Sequence, residues 1–217
     1  MLLLNKKNKL TGKKSSKIEY LFKRFIDRAV ASILIILLAP VMLLVAIAIA
    51  FDSPGTVIFK QTRVGLNGRE FKVWKFRSMV CNSELLQQEL ECLNEVEGGV
   101  IFKMKEDPRV TKVGKLLRRY SIDEIPQLFN VLMGDMSLVG PRPLPLRDVA
   151  KMDAWQQIRH EVTPGITGLA QVNGRSHCSS KEFFYWDEIY VKQWSVWLDL
   201  KILFETIPVV VTKKGAF

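Results

Sequence analysis

The longest pattern in the chain is one without polar interruption. Ala29 to Phe51 reads AVASILIILLAPVMLLVAIAIAF, uncharged over about the 20 residues that a helix needs to cross a bilayer. Near its middle Pro40 removes a backbone hydrogen bond and crowds the preceding turn, so a bend is expected there. Two topologies follow: a kinked span, or a re-entrant helix that leaves the membrane on the face it entered, its freed backbone groups met by neighbouring protein. A secretory signal peptide competes with both, but the run exceeds an h-region of about 7–15 residues and begins late.

Beyond this run the period changes. Val57, Ile58 and Phe59, then Phe71, Val73 and Trp74, are β-prone runs separated by Gly65, Asn67 and Gly68, the pattern of a hairpin. Ser83 to Val96 carries Leu85, Leu86, Leu90 and Leu93 at helical spacing among Glu and Gln, which predicts an acidic, largely solvated helix. Lys112 to Tyr120 predicts a second, with Val113, Leu116 and Leu117 as its buried face, and a third runs through Leu128, Phe129, Val131 and Leu132 to a stop at Gly134. Met136 to Gly174 is dense in Gly and Pro and reads as rigid loops. Glu182 to Val211 is helical and rich in Phe, Tyr and Trp, which suits a bilayer interface. The fold class is α+β: a basic segment over 1–20, a membrane-embedded and Pro-broken helix over 21–52, and a mainly helical domain over 53–217 with a small hairpin or sheet and amphipathic interfacial helices.

Charge sharpens this picture. The 217 residues hold 32 Lys and Arg against 22 Asp and Glu, a net +10, which calls for an anionic partner. Lys6, Lys7, Lys9, Lys13, Lys14, Lys17, Lys23, Arg24 and Arg28 all precede the apolar run, an arrangement that reads as membrane surface before nucleic acid. Lys60, Arg63, Arg69, Lys72 and Lys75 follow it, so both flanks look cytoplasmic. Cys81, Cys92 and Cys178 form no C-x-x-C pair, and His160 and His177 are too few for a zinc cluster.

Asp123-Glu124 is the candidate reactive pair. Ser121-x-x-Glu124 also matches a helix capping box, in which the acid merely satisfies a free N–H. Pro126 weighs against Ser121 as the cap, because it would then fall beyond the first free N–H groups, whereas a helix starting near Asp123 tolerates it. Both acids would then sit at a helix tip, where a carboxylate is stabilised as an anion and phosphate is attracted. A carboxylate attacking phosphorus needs cations against the substrate's negative oxygens. Arg142, between Pro141 and Pro143, offers a rigid guanidinium; Arg118, Arg119, Arg175, Lys75 and Arg77 are further candidates. Each, taken alone, is more often a surface charge.

Taken together, Phe71-Lys72-Val73-Trp74-Lys75-Phe76-Arg77-Ser78-Met79, Asp107-Pro108-Arg109-Val110-Thr111, Asp123-Glu124-Ile125-Pro126-Gln127, Ser137-Leu138-Val139-Gly140-Pro141-Arg142-Pro143 and Pro164-Gly165-Ile166-Thr167-Gly168 resemble the bacterial sugar transferase family, the monotopic polyprenyl-phosphate phosphoglycosyltransferases. The likeness runs from about Tyr20 to the terminal Lys214-Gly215-Ala216-Phe217. It implies a phosphotransferase that moves a sugar-1-phosphate from a UDP-sugar to undecaprenyl phosphate. Asp123 matches the family's nucleophile and Glu124 the second acid. The resemblance also implies Mg2+ close to Asp123. Arg118, Arg142 and Arg175 match phosphate-holding positions, and Asp187 matches an acid in a later helix; Lys75 and Arg77 join them as candidate substrate contacts from their own charge and place beside Phe76.

The same resemblance implies a catalytic domain over 53–217 that faces the cytoplasm from the bacterial inner membrane; membrane lipid is the expected partner, and nucleic acid is set aside because the aromatics that could stack on bases lie near the C-terminus, behind the loops. It leaves room for a homodimer. The family's broken helix has Ser-Pro at the break in some members; here it is Ala39-Pro40. Larger members carry further transmembrane helices ahead of this unit, so the chain resembles the minimal form. A catalytically silent member that organises glycan-assembly enzymes, and a transferase without a covalent intermediate, are the competing readings.

Overall fold

In the computed structural model, which describes residues 17–95, 100, 102, 104, 106–174 and 179–212, the apolar run forms part of one helix, α1 (Lys17–Asp52). Its 36 residues reach about 54 Å at 1.5 Å per residue, and Pro40 lies inside it without ending it. Much of its apolar surface meets no protein: Leu37 is 67% and Phe51 89% exposed. An apolar surface of this extent, on a helix long enough to cross a bilayer, makes the chain membrane-associated.

The opposite face of α1 packs on the rest of the chain along both halves. Ala31 joins Leu128, Val131, Leu138 and Ile202, and Ile49 joins Phe76 and Leu117. Polar ties fasten each end. Tyr20 and Thr163 share a hydrogen bond of 2.9 Å, and Ser137 donates to Asp27 at 2.7 Å. Lys23 donates to the Val139 carbonyl and pairs with Asp199, which also accepts from Tyr190 and Trp194. At the far end Asp52 accepts the Val113 N–H, and Arg77 donates to the Ser53 carbonyl at 2.5 Å.

The expected hairpin is present: β1 (Ile58–Val64) pairs antiparallel with β2 (Glu70–Phe76), from Ile58 opposite Phe76 to Val64 opposite Glu70. Asn67 and Gly68 take positive φ in the connecting loop, which is why small turn residues stand there. A short β4 (Leu144–Pro145) adds to the free edge of β1. Helix α2 (Ser83–Leu90) keeps the solvated character read from its sequence, although regular α structure stops at Leu90.

Helix α3 (Lys112–Arg119) buries Leu117 but leaves Leu116 55% exposed, against expectation. Its packed face is set by backbone: a Cβ on Gly114 would lie 2.0 Å from the Ser78 carbonyl oxygen, so the helix rests directly on the segment that follows β2 there, and Leu116 is turned away. The capping-box reading of Ser121 fails as well. Ser121 is left-handed (φ 57°) and makes no side-chain cap; it closes α3 and leads into a 3-10 turn, Ile122–Glu124. Helix α4 (Gln127–Met133) starts only after Pro126, and Gly134 (φ 89°) ends it as expected.

Met136 to Gly174 is more regular than its Gly and Pro content implied. It contains β3 (Ser137–Val139) and β5 (Gly165–Thr167), paired in parallel, together with α5 (Leu146–Val149) and α6 (Leu169–Asn173). The glycines serve close packing there: a Cβ on Gly165 would sit 2.1 Å from the Gly140 nitrogen. The helical C-terminal region divides into α7 (Ser180–Gln193) and α8 (Val196–Val211), because Ser195 accepts the Leu198 N–H and starts a new helix.

Candidate active site

The acid pair is positioned by two elements that Asn130 joins. Asn130, fully buried in α4, accepts the Trp74 N–H at 3.0 Å and donates to the Lys72 carbonyl at 2.8 Å. It thereby completes the β2 backbone as a neighbouring strand would, which holds the end of β2 bearing Lys75 against the turn that precedes α4. Ile122 and Ile125, flanking the acids, pack into the cluster that Ile49 of α1 forms with Phe76 and Leu117. The acids are therefore rooted on the membrane helix.

Glu124 is the hub. Lys75 donates to its Oε1 at 2.7 Å, and Arg142 approaches as a fork, with Nη1 donating to Oε2 at 3.0 Å and Nη2 to Oε1. Burial alone would push the Glu124 carboxyl up, but Arg142 and Lys75 outweigh it and hold it well below the usual range. Arg142 is stabilised as a cation by Glu124, while burial pushes the Lys75 ammonium down. Asp123, 7% exposed, has no such clamp. Burial raises its pKa, and Glu124 adds to the rise, against the attraction of Lys75, Arg118 and Arg142. Two adjacent acids thus occupy opposed environments, Glu124 locked as an anion and Asp123 beside the cations without consuming them. Burial, rather than a helix tip, dominates at Asp123.

The loop that carries Arg142 is braced from two sides by arginines. Arg159 donates to the Arg142 carbonyl, and Arg63 donates to the Pro143 carbonyl at 2.6 Å. Arg159 is itself paired with Asp187 at 3.0 Å, both side chains almost fully buried. Desolvation raises Asp187 to about 6 even against the pull of Arg159, and Arg63 is lowered to about 10 by burial with Arg142 adding to it. The parallel β3–β5 pair anchors the start of the loop: Gly140 donates to the Thr167 carbonyl at 2.9 Å and Gly165 to the Pro141 carbonyl at 3.0 Å. The Gly-Pro-Arg-Pro and Pro-Gly-Ile-Thr-Gly segments are two halves of one mount.

Of the residues singled out from sequence, Asp123, Glu124, Lys75 and Arg142 come together, with Arg118 half-buried and near enough to act on both Asp123 and Asp107. Asp187 lies beneath the Arg142 loop rather than facing the acids. Arg77 stands apart, its Nη2 on the Ile49 and Ser53 carbonyls at the end of α1. Arg175 lies outside the described residues. Asp107 and Arg109 form a buried bidentate pair that holds the turn before α3. Arg63 and Arg159 were not anticipated: a lone arginine in a strand or a short turn carries no pattern that marks it.

The buried Asp123 and half-buried Glu124, ringed by Lys75, Arg118, Arg142 and Arg63, stand against a helix with a bare apolar surface, an arrangement chemically suited to an anionic ligand. The bacterial sugar transferase family matches residues 18–213, and the chain belongs to that family. It is 43% identical over 88% of its length to a protein of Escherichia coli K12 named UDP-glucose:undecaprenyl-phosphate glucose-1-phosphate transferase, covering 40% of that protein. It is 40% identical over its whole length to the undecaprenyl-phosphate galactose phosphotransferase of Salmonella typhimurium, covering 45% of it. It is 38% identical over 90% of its length to the exopolysaccharide production protein ExoY of Sinorhizobium fredii, covering 88% of it. The chain spans less than half the length of the first curated relatives it matches.

Proposed function

We propose that the chain is a phosphotransferase that moves a sugar-1-phosphate from a UDP-sugar to undecaprenyl phosphate, releasing UMP and forming undecaprenyl-diphosphate-sugar, the first membrane step of a bacterial glycan pathway. The observation that carries this reading is the division of labour between the two acids: a buried, unclamped Asp123 lies beside cations that Glu124 holds ready. The relatives named for sugar-phosphate transfer to undecaprenyl phosphate support the same reaction.

In the first half, a carboxylate oxygen of Asp123 attacks the β-phosphorus of the donor. An O–P bond forms, the bond from that phosphorus to the bridging oxygen breaks, and UMP leaves with the electron pair. Lys75 and Arg142 turn from Glu124 to the donor's diphosphate and stabilise charge as it develops. Glu124, relieved of two cations, regains affinity for a proton and becomes competent as the base for the lipid phosphate. In the second half, an oxygen of undecaprenyl phosphate attacks the same phosphorus and Asp123 is released unchanged.

Asp123 and the donor's own phosphate oxygens make a donor set that suits Mg2+, which binds through one or two carboxylates plus substrate. Among the described residues no group of three His, Cys, Asp or Glu gathers to hold a metal ion. When bound, Mg2+ would neutralise diphosphate charge.

Both ends of α1 are fastened to one domain, so the re-entrant topology is the one we adopt, with residues 53–217 on the cytoplasmic side where nucleotide sugars occur. The test is UMP release from a panel of UDP-sugars with purified protein, Mg2+ and undecaprenyl phosphate. Release with one donor, lost in Asp123→Ala and Asp123→Asn, is expected. Full activity in Asp123→Asn would overturn the covalent role, and silence with every donor in folded protein would overturn the reaction.

A further inference from the structure

Arg24 and Arg28 stand one turn apart on α1, at the end of α4 remote from the acid pair. A Cβ on Gly134 would lie 2.7 Å from Nη2 of Arg24 and 2.6 Å from Nη2 of Arg28, so two guanidiniums converge on one spot above the residue that ends α4. With Tyr20, Ser137 and Thr163 they line an open crevice between α1 and the segment joining α4 to β3. The other charges of this crevice are matched: Lys23 is held by Asp199 and the Val139 carbonyl, and Asp27 accepts from Ser137.

The two arginines are not matched. Among the described residues neither meets a carboxylate, and Arg24 lies over the Tyr20 ring at 5.9 Å. The carbonyls of Asn130 and Val131 at the end of α4 already accept the N–H groups of Gly134, Asp135 and Met136. Two adjacent like charges over a crevice repel each other until an anion lies between them, and paired guanidiniums suit the oxygens of a phosphate.

Depth selects the source of that phosphate. Arg28 is the last charged residue before the uncharged run, and the neighbouring Leu21, Phe22 and Phe25 are exposed apolar side chains. That is the level of lipid headgroups. Helix α4, about 10 Å long at 1.5 Å per residue, separates the crevice from Asp123, so a phosphate bound here is not the reacting one. We propose that Arg24 and Arg28 form a site for the phosphate of an anionic phospholipid headgroup, which seats the entry of α1 at the membrane surface independently of catalysis.

The test is lipid retention by the full chain reconstituted in nanodiscs of phosphatidylglycerol and phosphatidylcholine, then released into detergent and weighed by native mass spectrometry. Wild type is expected to keep a bound phosphatidylglycerol, and Arg24→Gln/Arg28→Gln to keep about tenfold less, the loss of one charge-assisted fork. Arg24→Lys/Arg28→Lys should retain an intermediate amount. Equal retention by the Gln pair, with an unchanged melting midpoint, overturns the site. Should the double variant not fold, the single Arg28→Gln, at an exposed position, must still lower retention. Displacement by undecaprenyl phosphate would reassign the crevice to the acceptor lipid, and displacement by inorganic phosphate alone would leave an ion site without lipid; either result overturns the phospholipid assignment.

Discussion

Glu124 and Arg142 meet as carboxylate and fork, with Nη1 donating to Oε2 at 3.0 Å, although neither faces the other through any regular element. Lys75 completes the cluster from β2. Replacing Glu124 by Gln leaves two partly buried cations without their counter-charge. Arg142 keeps part of its hydration, so the loss is smaller than for a fully buried pair, about 1–3 kcal/mol, and Glu124→Gln is expected to lower the melting midpoint by several degrees as well as abolish transfer. Unchanged stability with lost transfer would mean that Glu124 acts in chemistry alone.

The two arginines behind the loop are expected to act through Arg142. If the proposed reaction holds, Arg63→Ala and Arg159→Ala should each reduce sugar-phosphate transfer by about tenfold or more, in keeping with the loss of a hydrogen bond that supports the Arg142 loop. In an Arg142→Ala background neither should reduce it much further, because coupled positions are not additive. A full additional loss in the double variants would show that the brace serves another purpose.

Asn130 is the tie between β2 and α4. Asn130→Ala leaves the Trp74 N–H and the Lys72 carbonyl without partners in the interior, at about 1–3 kcal/mol for each unsatisfied group. Denaturant unfolding in detergent is the measurement, with Asn130→Asp expected to fail as well, since a carboxylate cannot donate to the Lys72 carbonyl.

Asp187 gives a pH signature. Its folded pKa is raised to about 6 by burial, from the ordinary 3.8, so between these values the folded chain binds the proton that the unfolded chain has lost. Its contribution is therefore stabilising at low pH and is lost as pH rises through about 6. Subtracting the melting profile of Asp187→Asn from that of wild type should give a difference that falls across this window and is flat above it. A difference that rises with pH would mean the carboxylate is favoured by folding.

Much of this is legible in the sequence, and the parts that are not share a cause. The hairpin could be read because Phe71, Val73 and their partners alternate over full strands and turn at Asn67-Gly68. Ser137–Val139 and Gly165–Thr167 are too short to alternate, so their pairing was hidden under Gly and Pro that proved to serve backbone contact. Leu116 fitted a helical stripe, yet the near-touch of Gly114 and Ser78 decided which face of α3 packs. Asp123, Glu124, Lys75 and Arg142 stood in motifs, whereas Arg63 and Arg159 act through carbonyl oxygens that every residue possesses, which leaves no trace in side-chain pattern.

The double fastening of α1 has a mechanical consequence. A free helix relieves a mismatch with bilayer thickness by tilting. This one is pinned to the same body near Tyr20 and again near Asp52, so any tilt carries Asp123 with it. Ile122 and Ile125 transmit that motion directly, since they rest on the cluster Ile49 forms. Bilayer thickness and curvature thereby become settings of the acid pair itself, fixing how deep Asp123 stands relative to the leaflet.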